Sequence, residues 1–156
     1  MVKINGTQAA QGWANMIEHN IIAAKNCAFI TIKQSPDLGA FLKATRIFIA
    51  DPEYTPQLHR ICDFSQADMS KITAQDFMKF VEFAVSEVKL CPAAKVALVA
   101  PSPNKRGIFE QLANTMGAAI LRIFSEPEDA MIWIHQSPHE DDLPGPANSK
   151  ASSNLP

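Results

Sequence analysis

No apolar run in this sequence approaches the roughly 18 residues needed to cross a bilayer, so no membrane span is expected. The opening residues, Met1-Val2-Lys3-Ile4-Asn5-Gly6, lack the apolar block of a secretory signal, and none is expected. Cysteine is scarce: Cys27, Cys62 and Cys91 are far apart, odd in number and form no Cys-x-x-Cys step. With His19, His59, His135 and His139 they make no zinc-like spacing, so no metal or other cofactor is expected. Reduced thiols in apolar segments, in a cytoplasmic protein, fit the pattern better than disulfides. The six glycines contain no nucleotide fingerprint. Charge of one sign is lacking too: a net charge of -2 leaves no basic footprint for nucleic acid.

What is present is the material of one domain. A chain of 156 residues, 47% hydrophobic and 19% charged, can bury a real core and is too short for two ordinary domains. Residues 1–13 read as a loose lead-in and 14–136 as the domain. Residues 137–156, with Pro138, Pro144, Pro146, Pro156 and a Ser/Asn run, read as a disordered tail.

The stretch from Leu58 to Val88 organises the domain. Leu58 to Asp63 reads as a short apolar strand, Phe64 to Ile72 as a polar turn, and the rest as a long amphipathic helix. Phe77, Phe80, Val81, Ala84, Val85 and Val88 fall on one face of that helix. Thr73 and Asp76, three apart, form a carboxylate variant of the capping box. The strand Lys95 to Ala100, apolar nearly throughout, completes a βαβ unit.

Elsewhere, Asn15–Ala23 and Cys27–Lys33 suggest an antiparallel hairpin turning at Lys25-Asn26, against a competing helix over residues 9–24. Ser35-Pro36 opens a helix, with Ser35 as N-cap, and Asp51-Pro52 ends it. Cys91-Pro92 closes the long helix. Pro101 to Asn104 is a loop, and Lys105 to Met116 a helix stopped near Gly117. Ile120 to Phe124 is a strand, and a final helix runs through Trp133 and Ile134.

In this order several short motifs resemble those of the SpoIIAA-like, or STAS-like, group of small bacterial proteins, over about residues 14–135. Ala50-Asp51-Pro52-Glu53-Tyr54-Thr55-Pro56 is similar to the family's turn after its first helix. Cys62-Asp63-Phe64-Ser65 and Val96-Ala97-Leu98-Val99-Ala100-Pro101 resemble its strand ends, the latter followed by Gly107. Ile123-Phe124-Ser125 and Ala130-Met131-Ile132-Trp133-Ile134 resemble its closing strand and helix. The resemblance implies an α/β fold: a mixed four- to five-stranded sheet with helices mainly on one face. It implies regulatory or sensory action by protein binding, as in anti-sigma-factor antagonists. The alternative is a small carrier of the CRAL-TRIO kind, holding an apolar or anionic ligand.

Three places invite function. The antagonists' phosphorylatable serine has its nearest counterpart at Ser70, in Asp68-Met69-Ser70-Lys71, where Lys71 replaces the family's glycine. A phosphate near a helix N-terminus is electrostatically favoured, although Asp68, Ser70 and Thr73 also suit plain turn and capping roles. Ligands in open α/β sheets gather at carboxyl ends of parallel strands. Those ends hold Asp63 and Ser65, and Ser102, Asn104, Lys105 and Arg106, a candidate anion cradle or an ordinary charged turn. Ile47, Phe83 and Leu90 lie off the inward faces of their helices, which suggests self-association, a protein partner or a greasy groove. No catalytic constellation emerges, because His59, Asp63 and Ser65 along one strand do not converge as a triad must.

Overall fold

The computed structural model describes residues 15–88, 94–100, 102–118 and 120–136. The strand reading prevails over the helical one at the start: β1 (Ile17–Ile22) and β2 (Cys27–Gln34) form an antiparallel hairpin. A single helical turn, Ala23–Lys25, and Asn26 in the left-handed region connect them. Asparagine tolerates that conformation better than most residues. Then follow α1 (Leu38–Ala50), β3 (His59–Ala67), α2 (Ala74–Val88), β4 (Val96–Val99), α3 (Pro103–Met116), β5 (Leu121–Phe124) and α4 (Pro127–His135).

The five strands lie in chain order, β1 to β5, with β2 to β5 mutually parallel. Parallel crossovers are right-handed, and a strand order that never reverses sends every crossover to the same face. So α1, α2 and α3 share one face. Alternation along the strands sorts the side chains accordingly. Ile32, Phe64, Leu98 and Leu121 meet Phe41, Phe77, Phe109 and Leu112 of those helices. On the other face Cys27, Ile61, Ala97 and Val99 meet Ala130, Trp133 and Ile134 of α4. The expected sheet, with helices mainly on one face, is the one observed.

Three local expectations are corrected. The polar turn expected from Phe64 is strand instead, and β3 runs on to Ala67. The register against β2 steps from Thr31↔Asp63 to Lys33↔Gln66, so β3 carries one extra residue, a bulge. The bulge resets the alternation, burying Phe64 and Ala67 and exposing Ser65 and Gln66, a polar pair that mimics a strand end. Second, the N-cap of α1 is Asp37 rather than Ser35. Asp37 Oδ1 accepts from the Ala40 amide at 2.9 Å, while Ser35 Oγ donates to Asp68 Oδ2 at 3.1 Å. Third, α3 starts at Pro103, because proline at the first helical position loses no hydrogen bond.

Other features stand as read. Thr73 Oγ1 accepts from the Asp76 amide at 3.1 Å and Asp76 Oδ2 accepts from the Thr73 amide at 3.4 Å, the reciprocal box at the start of α2. Gly117, at φ +90°, ends α3. The lead-in, the tail, Leu90, Cys91 and Pro92 lie outside the described residues, as do the side chains of Ala84, Val85 and Val88.

Lys95 ties the start of β4 to β3 and to α4. Its backbone N–H donates to His59 Nδ1 at 2.9 Å, and its Nζ donates to the Trp133 and Gln136 carbonyls at 3.0 and 2.9 Å. The ammonium thereby adds a second donor to the Trp133 carbonyl, which also accepts from the Gln136 amide, and supplies one to the Gln136 carbonyl at the end of α4. It also stands 5.1 Å from the centre of the Trp133 ring.

Two expectations for stability follow. Asp37→Ala should cost about 1 kcal/mol, the usual worth of a helix N-cap, and Ser35→Ala distinctly less, as read from urea unfolding midpoints. His59 must be neutral to accept at Nδ1, and burial, then the charges of Lys95, His135 and Arg60, hold its pKa below 6.5. A folded-state pKa below the unfolded one gives stability that is complete above the unfolded value and lost as pH falls through the folded one. Thermal scans between about pH 7 and 5 should show that decline in the parent protein and a flatter profile in His59→Gln.

Candidate functional site

The face shared by three helices is not filled. Between it and the sheet lies a cavity of about 380 Å³. Its floor is Ile30, Cys62, Phe64, Val96 and Leu98; Phe41, Ala44, Phe48, Phe80 and Val81 of α1 and α2 roof it. Leu112 and Met116 of α3 close one side. Folded interiors hold few voids larger than a water molecule, whereas ligand pockets run from about 300 to 1,000 Å³. This one belongs to the second class. Glu18 and Ile47 are the exposed lining residues and mark a mouth beside β1 and α1, Ile47 with 46% of its surface exposed.

Few polar groups reach this space. Thr45 Oγ1 donates to the Phe41 carbonyl at 2.9 Å, so its proton is committed within α1. His19 Nε2 lies 2.9 Å from Asp51 Oδ2, and that bond, then the Glu53 amide, hold the Asp51 carboxyl below its usual range. The Cys62 thiol is pushed up to about 12 by burial, only partly opposed by Arg60. A thiol so placed stays protonated and is a poor nucleophile. Burial likewise raises the Cys27 pKa, and both cysteines are free. Arg60, at the second position of β3, is the charged lining residue that lies deep. Its Nη2 donates to Tyr54 Oη at 3.3 Å, and Phe48 lies 5.6 Å from the guanidinium carbon.

The polar residues singled out in the sequence sit elsewhere, toward the opposite ends of the parallel strands. Asp63 Oδ1 accepts from the Ser65 amide at 2.9 Å and so braces the β3 bulge. Asp68 Oδ1 accepts from the Ser70 amide at 2.9 Å, its other oxygen holds Ser35, and its amide donates to the Gln34 carbonyl at 2.6 Å. Ser70 is exposed in that turn, four residues before α2 begins. Ser102 is half-buried at the N-cap of α3. Arg106 bridges two strand ends: Nε donates to the Ala100 carbonyl at 3.1 Å and Nη2 to Ser125 Oγ. The side chains of Asn104 and Lys105 lie outside the described residues. With no reversal of strand order, these ends form no switch-point crevice.

Of the apolar candidates, Ile47 stands at the cavity mouth. Phe83 is half-buried, with the Arg46 guanidinium 5.3 Å from its ring centre, which makes it part of the α1–α2 contact. The deepest polar residue, Arg60, was legible only as one basic residue in phase with Cys62 and Phe64 on an apolar strand.

No described helix is long and apolar enough to cross a membrane. Neither protein-family models nor curated proteins yield a match to the chain. Solved structures do. An uncharacterized protein of the DUF3478 family from Shewanella loihica PV-4, described as having a SpoIIAA-like fold, superposes with a TM-score of 0.51 at 16% identity, over 76% of this chain and 91% of that one. The anti-sigma factor antagonist SpoIIAA in its unphosphorylated form gives 0.45 at 16% identity, over 74% and 94%. The chain has the SpoIIAA-like α/β fold.

Proposed function

We propose that this chain is a non-catalytic, cytoplasmic SpoIIAA-like module that holds a small apolar ligand between its sheet and its helices, as a CRAL-TRIO-type carrier does. The observation that carries this reading is the 380 Å³ cavity with its apolar floor and roof. Burial of an apolar ligand there is favoured at about 25 cal/mol per Å² removed from water. The protonated Cys62 thiol supports a binding role over a reactive one, and the free thiols of Cys27 and Cys62 suit a reducing compartment.

A second reading, capture of a protein partner or of another copy under control of Ser70, draws on one observation. The Ser70 amide and the Ser35 hydroxyl share the Asp68 carboxylate. A phosphate on the exposed Ser70 hydroxyl would stand beside that carboxylate, and the amides of Thr73 and Asp76 are already capped. Modification would therefore loosen this turn by like-charge repulsion.

Native mass spectrometry of gently purified protein should show a bound apolar molecule, or uptake of the neutral dye Nile red. Ala44→Phe, which puts a ring into the roof, should fold and take up at least about tenfold less dye, the worth of losing most of a buried apolar contact. An unliganded parent protein that ignores the dye would remove the carrier reading. For the second reading, Ser70→Glu should speed hydrogen exchange of the amides of residues 67–73 relative to Ser70→Ala. Equal exchange in both would count against a switch there.

A further inference from the structure

Arg60 is 6% exposed and is the charged residue buried among the described residues. A guanidinium carries five donors and keeps its proton at any ordinary pH. Taking such a cation out of water is costly unless hydrogen bonds and a counter-charge compensate. Here Nη2 meets a neutral phenol, Tyr54, and Nη1 is buried with no hydrogen-bond partner. The rings of Phe48 and Tyr54, at 5.6 and 5.9 Å, hold the guanidinium by its flanks and supply no anion. Among the described residues no carboxylate pairs with it; Asp51 and Glu18 are engaged by His19 and Lys33. Burial moreover depresses the Arg60 pKa, as expected of a cation short of compensation.

Arg60 is among the residues that line the cavity, whose walls are otherwise almost wholly apolar. A buried cation with a donor to spare, on a residue that lines a greasy space, points to a ligand with two unlike parts. We propose that the cavity takes an acidic amphiphile, with an unbranched apolar chain beneath α1 and α2 and a carboxylate headgroup that pairs with the Arg60 guanidinium, which turns from its buried seat to meet it. The proposal rests on the carrier reading and adds the ligand's chemical class. One buried cation matches a monoanion, and a doubly charged phosphate would bring a second charge into the same apolar surroundings uncompensated. Tyr54 Oη already accepts from Nη2, which leaves Nη1 as the donor without a partner.

The test displaces Nile red with three probes: decanoate, decanol and acetate, at a pH where decanoate is ionised. They share a chain or a headgroup but only decanoate has both. In the parent protein decanoate should act at roughly 10- to 100-fold lower concentration than decanol, the usual weight of a charged hydrogen bond, and acetate should not compete. In Arg60→Met that preference should vanish while decanol displacement stays within about threefold. Decanol equal to decanoate in the parent protein would overturn the headgroup assignment and leave the carrier reading standing. Displacement by acetate alone would overturn the amphiphile. If neither the dye nor any chain-bearing probe binds, the carrier reading falls and the headgroup assignment with it. The parent-protein comparison decides the matter even if Arg60→Met does not fold.

Discussion

The handedness of the parallel crossover governs this molecule. Because β2 to β5 follow one another without reversal, α1, α2 and α3 must all lie on one face. Four parallel strands beneath three helices form a wide floor. Phe41, Phe77 and Phe109 fill much of the gap, and their ring contacts with Phe64 and Phe80 tie the helices together. The remainder is the cavity. Of the described helices the other face carries only α4, and there Cys27, Ala97 and Ala130, all small, let the helix approach closely. One face is close-packed and the other is spacious, from a single topological cause.

That asymmetry explains how much the sequence could reveal. Periodicity and capping residues made the hairpin, α2 and the buried β4 readable, since each is specified by its own residues. The β3 bulge was not readable: Ser65-Gln66 looks like the end of a strand, and only pairing with β2 shows that the chain continues extended. Asp37 and Ser35 are both good N-caps, and which one bonds Ala40 is settled by Asp68, thirty-three residues away from Ser35, taking the serine hydroxyl. Candidate sites fared according to their range of dependence. Arg106 was found as a cation near strand ends but is spent on Ala100 and Ser125. A cavity is an absence of atoms between elements, and no local pattern announces it.

The polar chemistry divides the same way. At the carboxyl ends of the strands, Asp63, Asp68 and Arg106 each satisfy backbone or hydroxyl partners and hold the chain in shape. Within the cavity, Arg60 has a donor left over and Cys62 a proton it does not release. The first set spends its hydrogen-bonding capacity on the fold; in the second, one donor is left without a partner.

Lys95 gives the fold a mechanical property. Its backbone amide is fastened to His59 in β3, its peptide continues into β4, and its ammonium grips the Trp133 and Gln136 carbonyls where α4 ends. A pull on Gln136 would load these bonds, and through them β3 and β4, together with the last helical turn. The end of α4 is thereby fastened to the middle of the sheet.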